Sequence, residues 1–196
     1  MLSSVVFVAL FTFVATNIDT FTVATAQFAA APLKRRRRIA GGRWVGMVLL
    51  IALAGVLAAT LIDIPDRWLG LLAVVPLAFG VRGLLALRTP AGRAGEHKWP
   101  ITKGAISSVV LTLAAGGLNV AVYLPILDSY SKGDAALAAA IWAALAALLC
   151  AGALLAGRDS EGTKGLQRTA ALVAPVALLG VSAVVVVQAG TWHWLV

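Results

Sequence analysis

Phe13-Val14-Ala15-Thr16-Asn17-Ile18-Asp19-Thr20-Phe21-Thr22 sits within an apolar run from Leu2 to Ala31, and Lys34-Arg35-Arg36-Arg37-Arg38 follows close behind. The run exceeds the roughly 20 residues that a helix needs to cross about 30 Å of hydrocarbon. An Asp at the centre of such a helix costs about 2.5 to 3.5 kcal/mol on insertion-derived scales. Residues of that kind usually face a protein interior or a water-filled path and hold or relay something. Small residues Ala29, Ala30 and Ala31 end the run as in a secretory signal. Against that reading, no basic residue precedes the run, and the arginine cluster follows as a stop-transfer element would.

The rest of the chain agrees with a membrane setting. It is 61% hydrophobic and 12% charged, with a mean hydropathy of +0.95, outside the range of soluble globular proteins. Six apolar runs can be read, about Leu2 to Ala31, Trp44 to Ile62, Trp68 to Leu87, Ile101 to Leu127, Ala135 to Ala156 and Thr169 to Ala189. None alternates apolar with polar residues, which argues against a membrane barrel. The expectation is an all-α integral membrane protein of six transmembrane helices.

Basic residues are placed in alternate connections. Lys34 to Arg38 with Arg43 follow the first run, Arg88, Arg93, Lys98 and Lys103 the third, and Arg158, Lys164 and Arg168 the fifth, with Arg82 snorkelling to the same side. The second and fourth connections carry one basic residue each, Arg67 and Lys132, beside Asp63, Asp66, Asp128 and Asp134. Basic connections face the cytoplasm, so both termini are expected outside. The net charge of +8 then reports topology and some attraction to anionic lipid, not nucleic-acid binding. Trp44, Trp68, Trp99, Trp192 and Trp194, with His193 among them, read as interfacial anchors. Cys150 is the only cysteine, which excludes an intramolecular disulfide.

Displacing the chain by about 99 residues sets Asp19 opposite Asn119, Trp44 opposite Trp142 and Pro76 opposite Pro175. A single transmembrane domain is therefore expected to hold two three-helix repeats, about 1–100 and 101–196. Three helices are an odd number, so the second repeat enters the membrane from the opposite face. Inverted repeats of this kind recur in secondary transporters, whose sites lie near midplane, often at helix breaks.

Polar residues concentrate where those sites would fall. The first run offers Thr12, Thr16, Asn17, Asp19, Thr20, Thr22 and Thr25; the fourth offers Ser108, Thr112, Asn119 and Tyr123 at spacings that share one helix face. Gly116-Gly117 precedes Asn119 and admits two readings, close helix packing or a break that frees backbone oxygens. Pro76 and Pro175 are kink candidates, while Ser182 and Gln188 read as hydrogen bonds between helices.

Three segments together resemble the cadmium-resistance transporter family of the lysine exporter superfamily. They are Phe13-Val14-Ala15-Thr16-Asn17-Ile18-Asp19, Val75-Pro76-Leu77-Ala78-Phe79-Gly80-Val81-Arg82, and Ala115-Gly116-Gly117-Leu118-Asn119-Val120-Ala121-Val122-Tyr123-Leu124-Pro125. The resemblance implies a bacterial inner-membrane exporter of cadmium or another cation, with Asn17, Asp19 and Asn119 as site residues. Where the family typically has two further acids this chain has Thr20 and Leu118, and Ala115 replaces a common Asn. Fewer carboxylates weaken a divalent site. Soft thiolate ligands do not compensate, since Cys150 stands alone.

The expected function is secondary transport of a cation. Asp19 would be the charged ligand, Asn17, Asn119, Thr16 and Thr20 the neutral oxygens, and Gly116 and Gly117 the exposed backbone; as metal ligands proper, Asp19 and Asn119 stand first. No nucleotide-binding motif is present, so an ion or proton gradient would supply the energy, and no cofactor is expected. Expected partners are the transported cation and membrane lipid, with a homo-oligomer left open. Export of a small amino acid or similar zwitterion, with Asp19 on its ammonium group, is one alternative. A non-transporting membrane subunit is another. An enzyme is not expected, because paired carboxylates, a Ser and His arrangement and metal-ligand spacing are all missing from the sequence.

Overall fold

The computed structural model describes residues 2–60, 73–90, 104–157 and 160–188, and among them every extended regular element is a helix. In chain order these are α1 (Leu2–Ala30), α2 (Leu33–Thr60), α3 (Val74–Ala86), α4 (Ala105–Ala115), α5 (Gly117–Asp128), α6 (Lys132–Ala156) and α7 (Ser160–Gln188). Lipid imposes this choice, because backbone N–H and C=O groups without water must pair inside their own segment. Among the described residues α2 and α6 are each long and apolar enough to cross a membrane. Two bent pairs, Ser3–Ile18 with Thr20–Ala29 and Ala105–Ala115 with Gly117–Asp128, raise the number to four if each pair is one span. The third run is represented by α3, a shorter apolar helix, and the sixth by α7 as far as Gln188. Asp63, Asp66, Arg67, Trp68, Arg93, Lys98, Trp99, Lys103, Arg158, Asp159, Trp192, His193 and Trp194 lie outside the described residues.

The connection after α1 differs from the expected basic loop. Only Ala31 and Pro32 separate α1 from α2, so Lys34 to Arg38 form the first turns of a helix. Lys and Arg are good helix formers and Pro is at home at a helix start, so a charge cluster need not be a loop. Arg36 turns back from there. Its Nε donates to the Ala31 carbonyl at 2.9 Å, Nη2 to Ala29 at 3.2 Å and Nη1 to Gly157 at 3.4 Å. One guanidinium thus satisfies terminal carbonyls of α1 and of the residue ending α6, where a helix leaves its last acceptors unpaired. Arg43 is not a loop charge either: it is buried in α2, and its Nη1 donates to Gln27 Oε1 at 2.8 Å. Trp44 is likewise inside α2 and donates from Nε1 to the Ala143 carbonyl at 3.2 Å, which replaces the helix-end role expected of it. α7 begins at Ser160, so Lys164 and Arg168 are helical too.

Packing follows close approaches of small residues, as expected where lipid removes any hydrophobic drive between helices. α1 lies against α6 and α7, α2 against α4, α5 and α6, and α3 against α7. A Cβ on Gly42 would overlap the Ala105 backbone, and one on Gly46 would stand 2.8 Å from Thr112 Cβ. Those two glycines, one turn apart, bring α2 onto α4. Gly80 and Gly83 do the same for α3 against Pro175 of α7. Trp142, Tyr123, Phe28, Ile39 and Ile126 fill the interior between these contacts.

Candidate functional site

Most hydroxyls of the polar runs are spent locally. Thr12, Thr16 and Thr25 donate to carbonyls one turn back, Val8 at 2.7 Å, Thr12 at 2.8 Å and Phe21 at 2.8 Å. Thr112 does so to Ser108 at 2.8 Å and Ser182 to Leu178 at 3.0 Å, so Ser182 does not link helices as expected. Ser108 instead donates to the Ile39 carbonyl of α2 at 3.0 Å. Such back-bonding hides a hydroxyl from lipid and tends to bend its helix. α1 does bend, by 50° between Ser3–Ile18 and Thr20–Ala29.

The side chains left over meet at one place. Asn17 on α1 donates from Nδ2 to the Phe13 carbonyl at 2.9 Å, to Tyr123 Oη at 3.0 Å and to Thr16 Oγ1 at 3.0 Å. The two protons of the NH2 group are shared among these three acceptors, which fixes which end of the amide is which. Oδ1 therefore faces the other way, where Asn119 Nδ2 of α5 reaches it at 3.4 Å. Thr16 has given its proton to Thr12, so Tyr123 is the donor in the 3.5 Å contact between their oxygens. Asn17, Thr16, Tyr123 and Asn119 are all buried. One atom of the group is unsatisfied among the described residues: Asn119 Oδ1 is buried and none of them gives it a hydrogen bond. A buried acceptor in that condition costs about 1 to 3 kcal/mol, so it calls for an explanation.

Both asparagines sit next to helix breaks. Asn119 is the third residue after Gly116, where α4 and α5 meet at 63°, and Asn17 is the last residue but one of the straight part of α1, which ends at Ile18. Gly116 combines a helix break with a close helix contact, and its carbonyl accepts from the Val120 N–H at 3.1 Å. The helix breaks there, with φ −83° and ψ 6°, and a Cβ on Gly116 would overlap Leu50 of α2. Gly117 is exposed, and a Cβ there would meet nothing within 4 Å. Thr20 is half-buried on α1. Asp19 lies on the backbone of α1 at the bend, and its side chain lies outside the described residues, as does that of Gln188.

Trp142 of the fifth run completes the surroundings. Tyr123 stacks on Trp142 with ring centroids 4.0 Å apart and planes 16° from parallel, and Trp142 Nε1 donates to the Ala9 carbonyl of α1 at 3.0 Å. A tryptophan in mid-span must pair its N–H, and that requirement was the available sign of a structural partner. On the other side of Asn17 an apolar cavity of about 430 Å³ opens between α1, α6 and α7, bordered by Phe13, Phe21, Leu145, Leu149 and Val173. Among the described residues no three His, Cys, Asp or Glu side chains come together. The described donors available to a ligand are neutral oxygens, which suit hard or weakly held cations better than soft ones.

Helices with two to four candidate membrane spans among the described residues make this a helical membrane protein. The chain belongs to the cadmium resistance transporter family, whose model matches residues 13–196. No curated protein and no solved structure matches it.

Proposed function

We propose that the chain exports a cation, cadmium or a similar metal ion, through a site formed by the Asp19 carboxylate and the amide oxygens of Asn17 and Asn119. The observation that carries this reading is Asn119 Oδ1, a buried oxygen without a partner among the described residues, beside the turned-out oxygen of Asn17. A cation supplies what a hydrogen-bond donor does not, and Asp19 lies two residues beyond Asn17 at the bend that interrupts α1. A carboxylate in lipid takes up a proton when no cation is bound and releases it when one is, which makes a proton antiport switch.

The inverted repeat gives the site its alternating access. It is supported by bends in the first and fourth runs about a hundred residues apart, and by paired contacts: the first run packs on the fifth, the fourth on the second. Residues 1–100 and 101–196 would rock against each other in a bacterial inner membrane, with both termini outside and Asp19 reached from either side in turn. Thr20 and Leu118, in place of family acids, leave Asp19 as the one carboxylate of the site, so affinity for a divalent ion would be modest. Purified protein in proteoliposomes, assayed with cadmium, zinc, monovalent cations and small amino acids, tests the reading. Cation flux lost in Asp19→Asn supports it; full flux in that variant sinks it, and flux of amino acids alone replaces the cargo.

A further inference from the structure

We infer that the Tyr123 hydroxyl is the positioning group that presents the two amide oxygens to the cargo, a role that rests on the cation-site reading above. Its ring stacks on Trp142 with centroids 4.0 Å apart, and Trp142 is in turn anchored to α1 by its N–H on the Ala9 carbonyl at 3.0 Å. Its oxygen is therefore fixed relative to α1 and α6 without any contribution from the amides. That oxygen accepts from Asn17 Nδ2 at 3.0 Å and lies 3.5 Å from Thr16 Oγ1. An amide can rotate by half a turn and exchange its oxygen for its NH2 group at almost no steric cost, so only its hydrogen bonds decide the orientation. The two protons of the NH2 group are shared among three acceptors, and removing the phenol oxygen takes away the one that lies outside α1, leaving the amide held only from within its own helix. A rotated Asn17 would point NH2, with its partial positive charge, at the cation and at Asn119. The tyrosine touches no cargo in this arrangement; it acts through Asn17.

The chain has only two asparagines, Asn17 and Asn119, so protein labelled with nitrogen-15 asparagine gives two side-chain amide signals. In the wild type one pair of amide protons should show through-space contact to a tyrosine ring; absence of that contact overturns the inference whether or not any variant folds. Tyr123→Phe keeps the ring and its stack. It should shift that amide pair, raise KM for cadmium about tenfold, leave kcat within about twofold and hold the thermal midpoint within a few degrees. An unchanged KM, or a fall in kcat and thermal midpoint at constant KM, overturns the positioning role. If wild-type protein carries no cation, the cation-site reading fails first, and the tyrosine's role in presenting the amides fails with it.

Discussion

Asn119 reaches from α5 to Asn17 on α1 through a long hydrogen bond of 3.4 Å, while its own carbonyl oxygen has no partner among the described residues. The two asparagines are thus joined but unequal. Asn17 is tied down by three acceptors, and Asn119 is held loosely with an oxygen to spare. A binding site is expected to keep such an unsatisfied group, and a structural core is expected to remove it.

Asn119→Leu should separate function from stability. The substitution removes one orphan oxygen and creates another on Asn17, so the folded state should change by less than about 1 kcal/mol. Asn17→Leu removes the hub of the network and should cost about 2 to 3 kcal/mol. Cation flux in proteoliposomes should fall at least tenfold in both variants, while thermal unfolding in detergent should fall only in the second. Equal loss of stability in the two would remove the argument from the unpaired oxygen.

Gly116 and Gly117 make a second contrast. Gly116→Ala drives a methyl into Leu50, an overpacking that typically costs about 1 to 3 kcal/mol. Gly117→Ala meets open space and should be neutral. Shortening the opposing side chain should rescue the first variant, so Gly116→Ala with Leu50→Ala should recover much of the lost stability and flux. Failure of that rescue would mean the glycine serves the break by conformation alone.

Much of this was legible in the residues, and the reasons for the rest are physical. Membrane class follows from hydropathy, and Asn17 and Asn119 stood out as polar groups in the wrong solvent. The break at Gly116 was half-readable, because adjacent glycines permit both a break and a close contact. The start of α2 was not: charge patterning tells which side of the membrane a segment faces, and says nothing of whether the backbone there is helical. Tyr123 was visible only as one member of a polar stripe. Its place at the centre depends on Trp142, nineteen residues on and in another helix, and no local pattern carries that pairing.

Orientation can be checked with single cysteines, because the native Cys150 is buried in α6 and should label poorly. In a Cys150→Ser background, Arg37→Cys should react with a membrane-impermeant maleimide only in inside-out vesicles. Lys132→Cys, exposed at the start of α6, should react only in intact cells. The opposite pattern would reverse the assignment drawn from the basic clusters, and labelling of both positions from one side would refute the α2 to α6 path.

Arg36 should prove different in kind from the arginines around it. It bonds three carbonyls on two helix ends, whereas Arg35, Arg37 and Arg38 are exposed. Arg36→Ala frees those carbonyls at the membrane edge and should cost about 1.5 to 3 kcal/mol, discounted toward the lower end by its partial exposure. Arg36→Lys keeps the charge but offers one ammonium in place of a planar fork, so it should recover less than half of the loss. Alanine at 35, 37 or 38 should stay within about 0.5 kcal/mol. Thermal unfolding in detergent across the five variants separates a clamp from a charge cluster: a uniform response would mean that only the total positive charge matters, and a selective loss at 36, poorly rescued by lysine, would show that this guanidinium joins the ends of α1 and α6.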